Sequence, residues 1–207
     1  MENETARVEA FSDGVFAIAI TLLILEIVVR APHEALSARR LSEELRHLWP
    51  SYLAYFASFA TIGVMWLNHH RLFTLIVKND DGLSAFNLLL LLGVTWVPFP
   101  TAVLATQLLA PGQRVAAVVY ATSFFAIAIV FNLMWRYAVR SRLVREHLDV
   151  AAIARQYAGG PILYAILIGV GALNAVACLV LSAAIAAYFL LPPQLWRREA
   201  QQPRPMR

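Results

Sequence analysis

Cysteine occurs once in this 207-residue chain, at Cys178, and lysine once, at Lys78. A lone cysteine in an apolar run excludes a disulfide framework and a thiolate metal site. Charge is scarce too, at 14% of residues, where soluble domains carry about a quarter. HExxH, a glycine-rich phosphate loop and GxSxG are all missing, so no motif marks an enzyme. His69 and His70 are adjacent, and on a helix neighbours point about 100° apart, so the two cannot share a metal. No basic stripe interleaved with aromatics is present, which removes nucleic acid as a partner. Neither an inverted repeat nor a matching pair of broken helices appears.

Apolar sequence is abundant. Hydrophobic residues make up 60% and the mean hydropathy is +0.63, which places the chain in the lipid bilayer as an all-α, multi-pass membrane protein. One transmembrane domain fills residues 1–207, with spans expected near 11–29, 50–73, 83–109, 115–137, 160–172 and 174–191. A short interfacial helix is expected between Arg30 and Trp49, where Leu41, Leu45 and Leu48 recur at helical spacing. Pro98 and Pro100 should break or kink the third span. The basic stretch Arg136 to Tyr157 reads as a helix on the membrane surface. The last apolar run, Pro161 to Leu191, is long for one span, and orientation argues for two. With both termini cytoplasmic, Arg7, Arg71, Lys78, Arg136, Arg140, Arg142, Arg145, Arg155, Arg197, Arg198, Arg204 and Arg207 lie inside. Only Arg30, Arg39, Arg40, Arg46 and Arg114 lie outside, as the positive-inside bias favours. The acidic leader MENETARVEA, with Ser12 and Asp13 interrupting the approach to the core, argues against a cleaved signal peptide.

Function is concentrated in the first span. Arg7, Ser12 and Asp13 stand where it enters the bilayer, and ionisable groups there need partners. Two readings are open: Ser12 or Asp13 caps the helix, or they belong to a polar cluster. If span two returns to the same side, Trp66, Asn68, His69 and His70 reach the depth of Arg7, Ser12 and Asp13. These groups could then satisfy one another. The other face carries Ile18, Leu22 and Leu25 with Thr21, either an ordinary packing or lipid-facing stripe or something more specific.

The motif Arg7-x-x-x-Phe11-Ser12-Asp13 resembles the (R/K)xxxFSD signature of transmembrane protein 175, the endosomal and lysosomal potassium channel, and of its prokaryotic relatives. The similarity runs on through Gly14 to Leu23, then Trp66-x-x-His69-His70 and the Pro98-Phe99 kink. It covers the first half of the chain well and the second only in its pattern of spans. The resemblance implies a homotetramer of six-span protomers, with four copies of the first helix lining a pore that has no re-entrant loop. TVGYG, the filter of ordinary potassium channels, is indeed absent. By position, Ile18 corresponds to the family's isoleucine constriction, with Leu22 and Leu25 as further apolar rings and Thr21 as a polar one. Arg7, Phe11, Ser12 and Asp13 would steady the pore helix through Trp66 and either His69 or His70.

The implied activity is a cation channel in the cell membrane that needs no cofactor. It is modestly selective for potassium over sodium, because an apolar constriction discriminates by the work of distorting a hydration shell. Glu26 is expected to set four negative charges around the outer mouth, or else to be an ordinary helix-end carboxylate. The rival from another class is a small secondary transporter or proton-coupled carrier, with Asp13 and His69 or His70 as a titrating relay.

Overall fold

Glutamate, alanine and arginine are good helix formers, and they carry the first helix far upstream of the apolar run. It begins at Glu2: α1 spans Glu2–Leu22, and after a tightened turn at 23–24 the chain continues as α2 (Leu25–Arg30). The computed structural model describes residues 2–32, 34, 36–146 and 148–190, the first three as backbone alone. Ser12 and Asp13 therefore lie in mid-helix, and the capping reading is overturned. The tail from 191 onward, with Arg197, Arg198, Arg204 and Arg207, lies outside the described residues.

Helix α3 (Ala38–His47) follows in the connection to the next long helix, with Leu41 and Leu45 exposed and no buried residue. Then comes α4 (Trp49–Leu75), with Pro50 in its first turn, where a missing amide proton is harmless. The third span is kinked without being severed. α5 (Asp81–Trp96) and α6 (Pro98–Gln107) are joined by Val97, which keeps helical dihedrals. The carbonyl of Val94, deprived of a partner by Pro98, accepts from the amide of Val97.

Helix α7 (Gln113–Arg140) and α8 (Val150–Leu173) are long continuous helices, so the expected surface helix over Arg136 to Tyr157 does not form. The reason is local. Arg142 adopts a left-handed φ of 55°, Leu143 bonds the carbonyl of Ala138 and Arg142 that of Val139. This pair of bonds terminates a helix firmly. Asp149 then caps α8 by accepting from the amide of Ala152. Between them the connection is pinned to the end of α4 by an antiparallel bridge, Ile76 to Val144. Helix α8 therefore begins about ten residues earlier than its apolar run. Pro161 sits inside α8, and the Tyr157 carbonyl it leaves free accepts from Asn132 Nδ2 at 2.9 Å.

Asn174 alone separates α8 from α9 (Ala175–Leu190), and its Oδ1 caps the new helix at Ala177. Cys178 Sγ lies 3.9 Å from the Leu167 carbonyl, so the two helices run back along each other. Inside the bundle Ser58, Thr101, Tyr120, Ser182 and Thr61 form a buried hydroxyl cluster across α4, α6, α7 and α9. Such bonds join membrane helices where apolar contact alone gives little preference over lipid.

All described elements are helical apart from that one bridge. Among the described residues four helical stretches are long and apolar enough to cross a membrane: Thr5–Arg30, Asp81–Gln107, Gln113–Arg140 and Val150–Leu173. Helix α4 is as long, at 27 residues, but more polar, and α9 is apolar but only 16 residues long.

Candidate functional site

Helices α1 and α4 meet in an antiparallel ladder. Glu9 and Asp13 are four apart on α1, and Trp66 and His70 are four apart on α4, so each pair shares a helix face. Trp66 Nε1 donates to Asp13 Oδ1 at 2.8 Å, and one turn away His70 Nδ1 meets Glu9 Oε1 at 2.7 Å. On the buried side a second connection runs to α5. Ser12 Oγ donates to the Val8 carbonyl at 2.8 Å and accepts from Asn87 Nδ2 at 2.9 Å, while Asn87 Oδ1 lies 2.9 Å from His69 Nε2.

The direction of this chain of bonds is determined. Because Ser12 spends its only proton on Val8, Asn87 must present its amide nitrogen to Ser12 and its oxygen to His69. His69 therefore donates from Nε2, and its Nδ1 has no partner among the described residues. Ser12 and His69 are both 0% exposed. The imidazole is wedged between Phe73, stacked at 4.4 Å, and Phe16, at 5.4 Å between centroids.

His69 is thus joined to Ser12 through Asn87, whereas His70 pairs with Glu9, which lies outside the Arg7-x-x-x-Phe11-Ser12-Asp13 motif. Trp66 takes the aspartate directly. Asn68 does not join them: it accepts from Arg71 Nη1 at 3.4 Å and borders a cavity of about 70 Å³ behind Phe16. Arg7 is exposed and has no partner among the described side chains; it borders a cleft with Asp80, Asp81, Ser84 and Asn87. Asp80 is already engaged, capping α5 at Leu83 and accepting from the Tyr137 hydroxyl.

The opposite face of the first span is left exposed by the described residues. Thr5, Ser12, Phe16, Ala19 and Leu23 are buried, whereas Phe11, Gly14, Ile18, Thr21, Leu22 and Leu25 are exposed along the other side of the helix. Ile18 is 59% exposed, Leu25 50% and Phe11 57%. The helix is therefore fixed by polar groups on one side and presents an unpartnered, mainly apolar stripe on the other.

At the far end of the first span stands Glu26, the residue expected at a pore mouth. Glu26 forms an ion pair with Arg30 four residues on, and its side chain is only 12% exposed. Arg30 in turn donates to the Ala102 carbonyl at 3.2 Å and to Thr106 Oγ1, so both side chains are directed at α6.

Asn87 and Glu9 are the residues that sequence reading passed over. Each had a signal. An amide inside the Leu-rich run of the third span must find a partner, and Glu9 shares its helix face with Asp13.

Comparison with known proteins accords with this geometry. Residues 7–98 match the family profile described as endosomal/lysosomal potassium channel TMEM175. A potassium channel of Chamaesiphon minutus is 49% identical over 194 residues, covering 92% of this chain and 95% of its own. A potassium channel of Streptomyces collinus is 41% identical over 192 residues, covering 90% and 92%. The crystal structure of a lysosomal potassium-selective channel TMEM175 homolog from Chamaesiphon minutus superposes with a TM-score of 0.81 at 48% identity, covering 91% of this chain and 97% of that one. Those neighbours are ion channels and not enzymes. With so close a relative matched almost end to end, the chain belongs to the TMEM175 family.

Proposed function

We propose that this protein is a cation channel, modestly selective for potassium over sodium, which conducts through a homotetrameric pore lined by α1 and α2. The observation that carries the reading is the exposed stripe of Ile18, Thr21, Leu22 and Leu25 on a helix whose other face is bonded to α4 and α5. Four copies brought together on that stripe would enclose an axial path ringed by apolar side chains, with Thr21 as a polar ring. Ile18 forms the constriction. Such a ring stops ions when dry and passes them when it widens or hydrates, and it favours the ion whose hydration shell deforms more easily. The relatives named as potassium channels support that choice of ion.

The protomer crosses the membrane six times, α4 and α9 joining the four more apolar spans, and both termini face the cytoplasm of a cell membrane. Arg136, Arg140, Arg142, Arg145, Lys78 and Arg155 then lie together at the cytoplasmic end, as the orientation rule favours. A proton-coupled carrier would need Asp13 within transfer reach of a histidine. Asp13 is bonded instead to Trp66, while His69 meets Asn87 and His70 meets Glu9.

The test is potassium against sodium flux in liposomes for the parent and for Ile18→Asn. A potassium-favouring flux in the parent, with larger or less selective flux in the variant, is the expected result. Absence of cation flux in both, with folded oligomeric protein, would overturn the channel reading.

A further inference from the structure

The first and third spans run side by side in the same direction, and both are broken. The first is tightened at 23–24, where Leu23 and Ile24 bond the carbonyls three residues back. The third bends at Val97 ahead of Pro98 and Pro100. The two spans are tied to each other below the breaks by Ser12 and Asn87, and above them by Arg30 with the Ala102 carbonyl and Thr106. At 1.5 Å per residue, the first break lies about 17 Å above Ser12 and the second about 15 Å above Asn87. The breaks stand level.

The two attachments therefore fall on opposite sides of both bends. The lower half of the first span, with Ile18, is bonded to α4 and α5. The upper half, with Leu25, contains no buried residue; it also packs against α4, but its side-chain bonds across to another helix run from Arg30 to α6. Glu26 precedes Arg30 by four residues, the favourable order for a helical ion pair, and orients the guanidinium towards α6.

We infer that Arg30 is a positioning residue that couples the proline bend of the third span to the upper half of the first, so that α6 and α2 move as one unit relative to a fixed Ile18. The inference rests on the channel reading of the first span. It assigns the two apolar levels different behaviour: the ring at Ile18 belongs to the rigid lower half, and the ring at Leu25 follows the third span.

A double-mutant cycle tests it, with potassium flux read per folded oligomer. Straightening the bend with Pro98→Ala/Pro100→Ala changes flux by about threefold or more in the parent and leaves it nearly unchanged in Arg30→Ala, since coupled sites are non-additive. Arg30→Lys offers a single ammonium in place of the Nε that faces Glu26 and the Nη2 that reaches Ala102 and Thr106, so it cannot serve both sides at once and does not restore the response. Equal effects in both backgrounds would overturn the coupling while leaving the channel intact, whereas a parent without flux removes the channel reading and this inference with it. Amide hydrogen exchange gives an independent readout. In Arg30→Ala the amides of 25–30 exchange faster while those of 12–20 stay protected, and an equal rise in both segments would refute separate halves.

Discussion

Asn87 should be the most sensitive polar position behind α1, and Asn87→Leu tests that with little change in side-chain volume. The substitution removes two hydrogen bonds at once, one to Ser12 and one from His69. Interhelical hydrogen bonds in membranes average roughly 0.6 kcal/mol each. More is lost at the His69 Nε2–H, which is left without an acceptor at a site with no solvent exposure, at a cost of about 1 to 3 kcal/mol. Together these give a destabilisation of about 2 to 4 kcal/mol. Reversible unfolding in mixed micelles, by titration with a denaturing detergent, measures it. The same assay on Ser12→Ala completes a cycle. Ser12→Ala lowers stability by about 1 kcal/mol in the parent but by almost nothing once Asn87 is gone, because its partner has already been removed. If Ser12→Ala retains its full effect in the Asn87→Leu background, the directional chain from His69 to Val8 is wrong.

Trp66→Phe keeps the ring but deletes the donor to Asp13, and should weaken the protein by about 0.5 to 1.5 kcal/mol in the same titration, the range for a single intramolecular hydrogen bond. The same change at Trp96, which is 52% exposed, should cost much less. Gly171→Val sets a side chain against α7, where an added Cβ would already stand 3.2 Å from the backbone of Ala117. Because backbone cannot swing aside as a side chain can, a loss of about 1 to 3 kcal/mol is expected, and a melting point equal to the parent's would show that the α7–α8 contact is looser than described.

The polar half of the candidate site is legible in the sequence because charges inside an apolar helix demand partners, and the only comparable density of polar groups lies at Trp66 to His70. Depth matching then pairs the two. What single positions do not reveal is the division of labour between the histidines. It depends on helix phase: His70 shares a face with Trp66, whereas His69 points about 100° away, into the bundle and onto Asn87. The capping alternative fails because polar residues 2–10, which look like an exterior leader, have helical propensity and extend the span. The surface helix fails for the converse reason. Its arginines are compatible with an amphipathic helix, but the turn at Arg142 and the Asp149 cap are local signals that outweigh composition. The ion pair of Glu26 is not evident in the sequence reading because Arg30 continues the same helix one turn later instead of opening the connection that follows.

Proline inside α8 offers a last check on how α7 and α8 are joined. Pro161 has no amide proton to give the Tyr157 carbonyl, and a carbonyl stranded in a membrane bundle must be satisfied from another element. Asn132 of α7 does so while also bonding Ala128 in its own helix. Asn132→Leu therefore orphans a buried acceptor and should destabilise the protein by about 1 to 2 kcal/mol, the range for such a group where some relaxation is possible. In a Pro161→Ala background the restored amide at 161 bonds Tyr157 directly, and the same substitution at 132 should then lower stability by less than about 0.5 kcal/mol. Equal losses in the two backgrounds would mean that Asn132 acts through Ala128 or through the cavity it lines. A loss that vanishes with the proline would instead show that the asparagine is present because the proline is, and that α7 and α8 are joined by a bond the proline makes necessary.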